Sequence, residues 1–519
     1  MSNITRSAAG ATGFVKNLAA SAAGALSAGT SRHSTATASV HMSASGREKT
    51  LTKQSLPGRV LKTEYAVRGR VVTRSYEIQK MLAEKTKSLP FDELIFANIG
   101  NPQAVGATPL TFPRQVLACV MYPPLLEAGV FPEDVIKRAK EYLKYASGKV
   151  GAYSHSKGLE GLRQEVADWL EERDGHRPDA EHIFLQDGAS PAVKLALDLL
   201  IGGPEDALLI PLPQYPLYSA SITKLEGTAV GYYLDEEKNW GTSREELERA
   251  LKEGRDQGKK VKALVVINPG NPTGGILSKQ DMEEIVEFCE DNNLVLLADE
   301  VYQVNIYKEG AEFTSFRKVV MDKGSSVELF SFHSASKGIA GECGLRGGCV
   351  VTDNLDPEVL AEMYKLASVN LCANIIGQMA FTLTVRPPKA GEASYELYKK
   401  ELGDALDSLK RRAKKVAATL NGLEGASCQE IEGAMYAFPS ITIPKKAAEM
   451  AMENGMAPDL FYCLRLLEET GIVVVPGSGF GQRDGTFHFR TTILPQENQV
   501  DAIAKRMSEF HSKFMKEFS

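Results

Sequence analysis

The chain has 519 residues, 43% of them hydrophobic and 24% charged, which is typical of a large globular protein. This composition excludes collagen-like chains, coiled coils and acidic activator segments. The net charge of −6 argues against a nucleic-acid partner. The sequence has no run of about 18 uncharged apolar residues, so it predicts no membrane-spanning helix.

The first 46 residues differ in composition from the rest of the chain. They are rich in Ser, Ala, Gly and Thr, and they contain Arg6, Lys16 and Arg32 but no acidic residue. Such a segment is typical of an organelle transit peptide, although a disordered leader is the alternative. We therefore predict an organelle matrix location, mitochondrial before plastid, or a cytoplasmic one if residues 1–46 carry no targeting signal. The 7 Cys residues form no CxxC pair, which favours a reducing compartment.

Several apolar segments in the middle of the chain have the length and composition of buried strands. They are Ile183–Leu185, Leu208–Ile210, Leu264–Ile267, Leu294–Ala298, Glu328–Phe332 and Gly348–Val351. Helical patterns alternate with them: Gly161–Arg173 is amphipathic, and capping boxes at Thr242–Glu245 and Ser278–Asp281 begin two further helices. This alternation predicts an α/β fold with a mostly parallel sheet covered by helices on both faces.

A proline-rich segment, Arg386–Gly391, interrupts the α/β pattern. A long basic helix from Ser394 to about Leu420 and a terminal helix follow it. The strands predicted between these helices are Met435–Pro439, Gly471–Val475 and Thr486–Thr492. We therefore predict a smaller α+β domain. The predicted boundaries are 1–46 for the leader, 47–135 for an N-terminal arm and part of the small domain, 136–386 for the large domain and 387–519 for the C-terminal small domain.

Chemically active side chains follow the predicted strands, where open parallel sheets bind their ligands. Ala189 and Ser190 begin a helix after the first strand, and the free N–H groups at such a helix end bind phosphate. Asp299 follows the fourth strand, where a buried carboxylate costs free energy unless it is paired. Lys337 and Arg346 follow the fifth strand.

Two loops complete this set. The loop 268–274, with two Asn-Pro pairs, contains Asn271, and the proline-fixed turn 211–218 presents Tyr215, whose ring could stack on a flat cofactor. Each residue also has an ordinary structural explanation: Asp299 could cap a helix, Lys337 could be solvated and Tyr215 could fill the core. Their succession along one sheet favours a single site.

Four motifs occur in order along the chain: Asn271-Pro272-Thr273-Gly274, Asp299-Glu300-Val301-Tyr302, Ser334-Ala335-Ser336-Lys337 and Gly344-Leu345-Arg346-Gly347-Gly348. From about Phe96 to the C-terminus, the sequence resembles the fold type I aminotransferases, which use pyridoxal phosphate. Asn98–Pro102, Pro213–Tyr218 and Gly341–Gly344 are similar to the alanine aminotransferase branch, which also includes glutamate:glyoxylate aminotransferases.

The resemblance implies pyridoxal phosphate as the cofactor and assigns a role to each residue around its ring. Lys337 would hold the cofactor as a Schiff base and then shuttle the proton at the substrate Cα. Asp299 would pair with the pyridine nitrogen. Asn271 and Tyr302 would hydrogen-bond the phenolic oxygen, and Tyr215 would stack on the ring.

The resemblance also implies how phosphate and substrate are bound. The cofactor phosphate would be bound by Ala189, Ser190, Ser334 and Arg346. Arg490 would clamp the substrate α-carboxylate in bidentate geometry, with Asn271 beside it and the backbone of Gly100 against the substrate. Tyr153 would cross a dimer interface to the neighbouring cofactor phosphate, which implies a homodimer with shared active sites. The scattered His residues show no metal-ligand spacing, so no metal is predicted.

The expected activity is transfer of the amino group between L-alanine and 2-oxoglutarate by a ping-pong cycle through pyridoxamine phosphate. Glutamate:glyoxylate transamination is the alternative. A lyase or synthase of the same fold is poorly separated by sequence. Ser334–Lys337 also fits the S-x-x-K motif of β-lactamases, but the sequence lacks the Ser-Asp-Asn and Lys-Thr-Gly partners. A transcription regulator with an aminotransferase-like domain is disfavoured, because the first 50 residues show no helix-turn-helix pattern.

Overall fold

A computed structural model describes residues 49–86, 88–339 and 341–519. The predicted leader, residues 1–46, lies outside the described residues. The strands are β1 Ile95–Phe96, β2 Ile183–Gln186, β3 Asp206–Leu212, β4 Thr228–Tyr233, β5 Lys260–Ile267, β6 Val295–Asp299, β7 Leu329–Ser334, β8 Gly348–Asp353, β9 Ala426–Ser427, β10 Tyr436–Ala437, β11 Ser440–Ile441, β12 Ile472–Val473, β13 Val475–Pro476 and β14 Phe489–Thr492.

Helices connect and cover these strands. They are α1 Gly58–Lys62, α2 Arg70–Glu84, α3 Thr111–Met121, α4 Glu133–Tyr145, α5 Glu160–Asp174, α6 Ala189–Leu200, α7 Leu217–Lys224, α8 Arg244–Asp256, α9 Lys279–Asn292, α10 Phe316–Lys323, α11 Pro357–Val369, α12 Ile375–Val385, α13 Tyr395–Asn421, α14 Lys445–Glu453, α15 Pro458–Thr470 and α16 Glu497–Phe518. Among the described residues, none of these helices is long and apolar enough to cross a bilayer.

The described residues form a seven-stranded central sheet in the order β2-β8-β7-β6-β5-β3-β4. Neighbouring strands from β7 to β4 run parallel, and β8 runs antiparallel to both of its neighbours. This confirms the predicted mostly parallel α/β sheet. The edge strand β4 was missed, because its half-exposed residues lack a continuous apolar run.

The core lies on both faces of this sheet, as β5 shows. Leu264 and Val266 pack in one cluster with residues of α8, α9 and α10. Ala263 and Val265 point to the opposite face and pack in a second cluster with residues of α6, α7 and α11. This period of two follows from the pleat of a strand, and burial on both faces explains why the central strands read as continuous apolar runs.

The two predicted capping boxes have different outcomes. At α9, Ser278 Oγ accepts from Asp281 N at 3.1 Å, and Asp281 Oδ2 accepts from Ser278 N at 3.0 Å, so this box is confirmed. At α8 the prediction was wrong by one residue: Ser243 is the cap, and its Oγ accepts from Glu246 N at 3.3 Å. The predicted cap Thr242 failed because the extended backbone continues through Ser243, and the Thr242 hydroxyl has no hydrogen-bond partner among the described residues.

The C-terminal part combines long helices with short strands around a separate cluster of buried residues. This cluster unites α13, α15 and α16 with Val71 and Ile78 of α2. Parallel pairing of Ile95 with Ile472 joins β1 to β12, so the N-terminal segment contributes to this α+β layer. The predicted strand Gly471–Val475 is split in two, because β12 pairs with β1 and β13 pairs with β14. The domain boundaries stay a prediction.

Candidate active site

A cavity of about 330 Å³ opens at the carboxyl ends of the central strands. Its lining includes the predicted site residues Gly100, Ala189, Ser190, Tyr215, Asn271, Asp299, Tyr302, Ser334, Lys337, Arg346 and Arg490. The sheet register explains their proximity, because Asp299 at the end of β6 pairs with Ile267 of β5 and Phe332 of β7. The loops that follow these three strands therefore lie side by side.

The Lys337 amine lies inside the cavity against the backbone of Gly100. Its Nζ donates a hydrogen bond to the Gly100 carbonyl at 3.0 Å, and it lies 5.7 Å from the centroid of the Tyr302 ring. A Cβ at position 100 would lie 2.1 Å from the Tyr436 hydroxyl and 3.2 Å from Lys337 Nζ. Glycine at this position thus keeps the space beside the amine open.

Asp299 lines the cavity and has one buried carboxylate oxygen without a hydrogen-bond partner in the described part of the chain. Its Oδ2 accepts a hydrogen bond from the Tyr218 hydroxyl at 3.0 Å, whereas the buried Oδ1 has no partner among the described residues. Burial raises the pKa of this carboxyl to about 6, although the hydrogen bond from Tyr218 acts in the opposite direction. An unpaired buried carboxylate oxygen is costly, so the site favours a ligand that brings a protonated nitrogen to it.

Two buried tyrosines and Asn271 form a hydrogen-bonded row across the cavity. Asn271 Nδ2 donates to the Tyr302 hydroxyl at 3.3 Å, and this hydroxyl donates to Tyr436 at 3.3 Å. Burial alone would raise the pKa of the Tyr436 phenol, but the positive charges of Lys337 and Arg490 outweigh it and lower that pKa below its ordinary value. Burial raises the pKa of Tyr302.

Arg490 is a buried cation fixed by the surrounding backbone and side chains. Nη1 donates to Asn271 Oδ1 at 3.1 Å and Nη2 donates to the Asn98 carbonyl at 2.5 Å, while Nε has no partner among the described residues. The guanidinium lies 4.2 Å from the centroid of the Tyr436 ring and 4.7 Å from that of Phe480. No carboxylate neutralises it in the described part of the chain, so the arrangement favours an anionic ligand.

The other end of the cavity has the features of an anion site. Helix α6 begins here after Gly188, whose φ is +92°, and a Cβ on Gly188 would lie 2.7 Å from Arg346 Nη2. The Arg346 guanidinium donates to the Asp187 carbonyl at 2.6 Å and to Ser336 Oγ at 3.3 Å. An arginine fixed beside the first N–H groups of a 12-residue helix provides both charge and directed donors for a phosphate.

The serine hydrolase alternative is disfavoured by the geometry of its motif. Ser334 Oγ donates to the Gly347 carbonyl at 3.1 Å and accepts from Ser336 N at 3.1 Å. Lys337 Nζ instead donates to the Gly100 carbonyl, so the lysine does not contact the hydroxyl that it would have to activate.

Among the cavity-lining residues to which the sequence assigned no role are Tyr65, Arg68 and Tyr436. The Tyr65 hydroxyl lies 2.8 Å from the Tyr215 hydroxyl, with the rings edge to face at 6.4 Å. Burial raises the pKa of Tyr215 well above its ordinary value. Tyr436 lies on a predicted strand, but no local pattern distinguishes it from a tyrosine of the core. The contact between Tyr65 and Tyr215 joins residues far apart in the chain, so no local sequence pattern indicates it.

Tyr153 is the one predicted site residue that does not line this cavity. It lies on the surface in the loop before α5 and is 79% exposed. Its role at a dimer interface therefore stays a prediction.

Comparisons with known proteins bear on this geometry. The model of the aminotransferase class I and II family matches residues 123–507. The chain belongs to this family. It is therefore a pyridoxal-phosphate-dependent aminotransferase of fold type I, as the motifs predicted.

Individual relatives match over most of their length. A probable mitochondrial alanine aminotransferase of Dictyostelium discoideum is 50% identical, over 91% of this chain and 90% of that protein. Glutamate–glyoxylate aminotransferase 2 of Arabidopsis thaliana is 48% identical, over 91% of this chain and 98% of that protein. The alanine aminotransferase of Pyrococcus furiosus superposes with a TM-score of 0.71, covering 88% of this chain and 100% of that one, and its 24% identity supports the fold alone.

Proposed function

We propose that the protein transfers the amino group between L-alanine and 2-oxoglutarate, giving pyruvate and L-glutamate. The observation that carries this proposal is the buried, carboxylate-free Arg490, which shares one cavity with the Lys337 amine. The relative from Dictyostelium discoideum, named as an alanine aminotransferase, supports alanine as the donor. The glutamate–glyoxylate relative from Arabidopsis thaliana supports glyoxylate as a second candidate acceptor.

The cavity residues fit pyridoxal phosphate, which, when bound, supplies an electron sink for the pair released at the substrate Cα. Asp299 Oδ1, unpaired and buried, would hold a proton on the pyridine nitrogen. Tyr302 and Asn271 would hydrogen-bond the phenolic oxygen, and the Tyr215 ring would cover one face. The phosphate would be bound at the anion site by the α6 N-terminus, Ser334 and Arg346.

Lys337 would carry the proton during each half-reaction. Its Nζ would hold the cofactor covalently; once freed, it would accept the proton from the substrate Cα and return a proton on the cofactor side. Arg490 would bind the substrate α-carboxylate and orient the Cα–H bond toward that amine. The open space at Gly100 allows the substrate to approach Lys337.

Arg490→Lys tests the carboxylate assignment. Lysine cannot donate two parallel hydrogen bonds, and it loses the contacts with Asn271 and Asn98. We expect KM for L-alanine and for 2-oxoglutarate to rise about tenfold to a hundredfold in steady-state assays. Arg483→Lys, at an exposed arginine outside this cavity, is the matched control. An unchanged KM for both substrates would assign Arg490 to another role.

The function itself is tested by absorbance spectra of the purified protein. A visible band of the bound cofactor should bleach on addition of L-alanine, as the cofactor is converted to its pyridoxamine form, and 2-oxoglutarate should restore the band. If glyoxylate restores the band much faster than 2-oxoglutarate, glyoxylate is the acceptor. If alanine leaves the band unchanged, alanine is not the donor.

The proposed enzyme is a homodimer in the mitochondrial matrix. The exposed position of Tyr153 supports a contact with a second subunit, where it would reach the neighbouring cofactor phosphate. The acid-free composition of residues 1–46 and the mitochondrial name of the Dictyostelium discoideum relative support the location.

A further inference from the structure

The N-terminal segment forms part of the cavity wall. The turn Tyr65–Arg68, closed by a hydrogen bond from Arg68 N to the Tyr65 carbonyl at 3.0 Å, places both end residues on the cavity lining. This turn directly precedes α2, whose Val71 and Ile78 are buried in the C-terminal core. The cavity is therefore covered by a segment that is distant in sequence from the central strands.

Two contacts fix this turn in place. The Tyr65 hydroxyl hydrogen-bonds that of Tyr215 at 2.8 Å, and Val67 between the two end residues is only 5% exposed. Arg68 Nη1 donates to the Tyr76 hydroxyl at 3.1 Å, about two turns into α2, which restrains the guanidinium. Arg68 therefore lines the cavity with its guanidinium held at the Tyr76 hydroxyl, at the exposed edge of the site.

One of the positively charged side chains that line the cavity has no anionic group assigned to it. Its cationic side chains are Arg68, Lys337, Arg346 and Arg490, and its one carboxylate, Asp299, is hydrogen-bonded to Tyr218. In the proposed function Lys337 reacts, Arg346 binds the phosphate and Arg490 binds the α-carboxylate. The described residues provide no carboxylate within ion-pair distance of Arg68.

We propose that Arg68 binds the second carboxylate of dicarboxylic substrates, 2-oxoglutarate and L-glutamate. This inference rests on the proposed function and extends it to substrate specificity. Monocarboxylic substrates such as alanine and pyruvate have no group for Arg68, so they are bound through Arg490 alone. One cavity then serves both substrate classes. When a small substrate is bound, the exposed Arg68 side chain stays in contact with water, so leaving it unpaired costs little free energy.

The test compares Arg68→Gln with Arg70→Gln in the cofactor-loaded enzyme. Arg70 is an exposed arginine two residues further on that does not line the cavity. In a ping-pong cycle kcat/KM for each substrate reports on its own half-reaction, so 2-oxoglutarate and pyruvate can be compared directly. We expect Arg68→Gln to lower the ratio of kcat/KM for 2-oxoglutarate to that for pyruvate about tenfold or more, because a charge-assisted hydrogen bond is lost. Arg68→Lys should retain part of this preference.

A binding measurement separates this inference from the proposed function. Glutarate and butyrate differ by one carboxylate and undergo no amino transfer, so calorimetry on the loaded enzyme measures recognition alone. Weaker binding of glutarate, but not of butyrate, in Arg68→Gln supports the inference even if alanine proves not to be a substrate. Equal losses for monocarboxylates and dicarboxylates, or no loss for either, would overturn it.

Discussion

Lys337→Ala is expected to abolish amino transfer while leaving the fold intact. The Lys337 amine is the basic group that lies between the backbone of Gly100 and the Tyr302 ring, and no second amine lines the described cavity. In the proposed function, its loss removes both the covalent attachment of the cofactor and the group that moves the proton at Cα. Because a positioned acid–base group contributes about 10²-fold to 10⁴-fold alone, we expect kcat to fall at least about 10⁴-fold once attachment is lost too.

The same variant has a structural readout. Lys337 makes one hydrogen bond, to a backbone carbonyl, and its removal leaves space within an existing cavity, so the melting temperature should change little. The anion site formed by α6 and Arg346 should still retain the cofactor, now without the absorbance of the lysine adduct. Small primary amines added to the solution should restore part of the activity, because they can replace the proton carrier. Near-normal turnover without added amine would contradict the proposed role of Lys337. Lys238→Ala, at an exposed lysine, is the control for the loss of a positive charge.

Short-range chemistry explains what the sequence predicted well. The central strands are buried on both faces, so the sequences of β5, β6 and β7 are mostly apolar. Each of these strands ends where a polar loop begins. Asp299 and Lys337 were identifiable because carboxylate and amine follow such runs directly. Ser278 was identifiable as a cap because its partner lies three residues away.

Long-range contacts explain what the sequence did not predict. Strand β4 is an edge with half-exposed residues, and its apolar pattern is weak. Tyr436 lines the cavity because the C-terminal layer packs beside it, and Arg68 lines it because the N-terminal turn does. The position of this turn depends on contacts such as that between Tyr65 and Tyr215. Side chains supplied by distant segments have no local pattern of their own, so the wall opposite the sheet was visible only in the structure.

Asp299→Asn should change activity and stability in opposite directions. Asparagine keeps the shape of the side chain and can still accept from Tyr218, but it cannot hold a proton on the pyridine nitrogen as a carboxylate does. Since loss of one preorganised electrostatic contact costs about 10²-fold to 10³-fold, we expect kcat to fall by this factor. Steady-state rates with L-alanine and 2-oxoglutarate measure it, and an unchanged kcat would contradict the assignment.

The stability of the cofactor-free protein should instead increase in this variant. Burial raises the pKa of Asp299 to about 6, so between the unfolded value and that pKa the native state binds more protons than the unfolded state. Stability therefore falls as the pH rises through this window, and the buried charge destabilises the native state at all higher pH values. The substituted amide carries no such charge, so the Asp299→Asn apoprotein should be more stable at pH 8 by about 1 to 3 kcal/mol, seen as a higher melting temperature. Well below the unfolded pKa of about 3.9 the two proteins should melt together, and a difference that persisted there would assign the effect to packing rather than to charge.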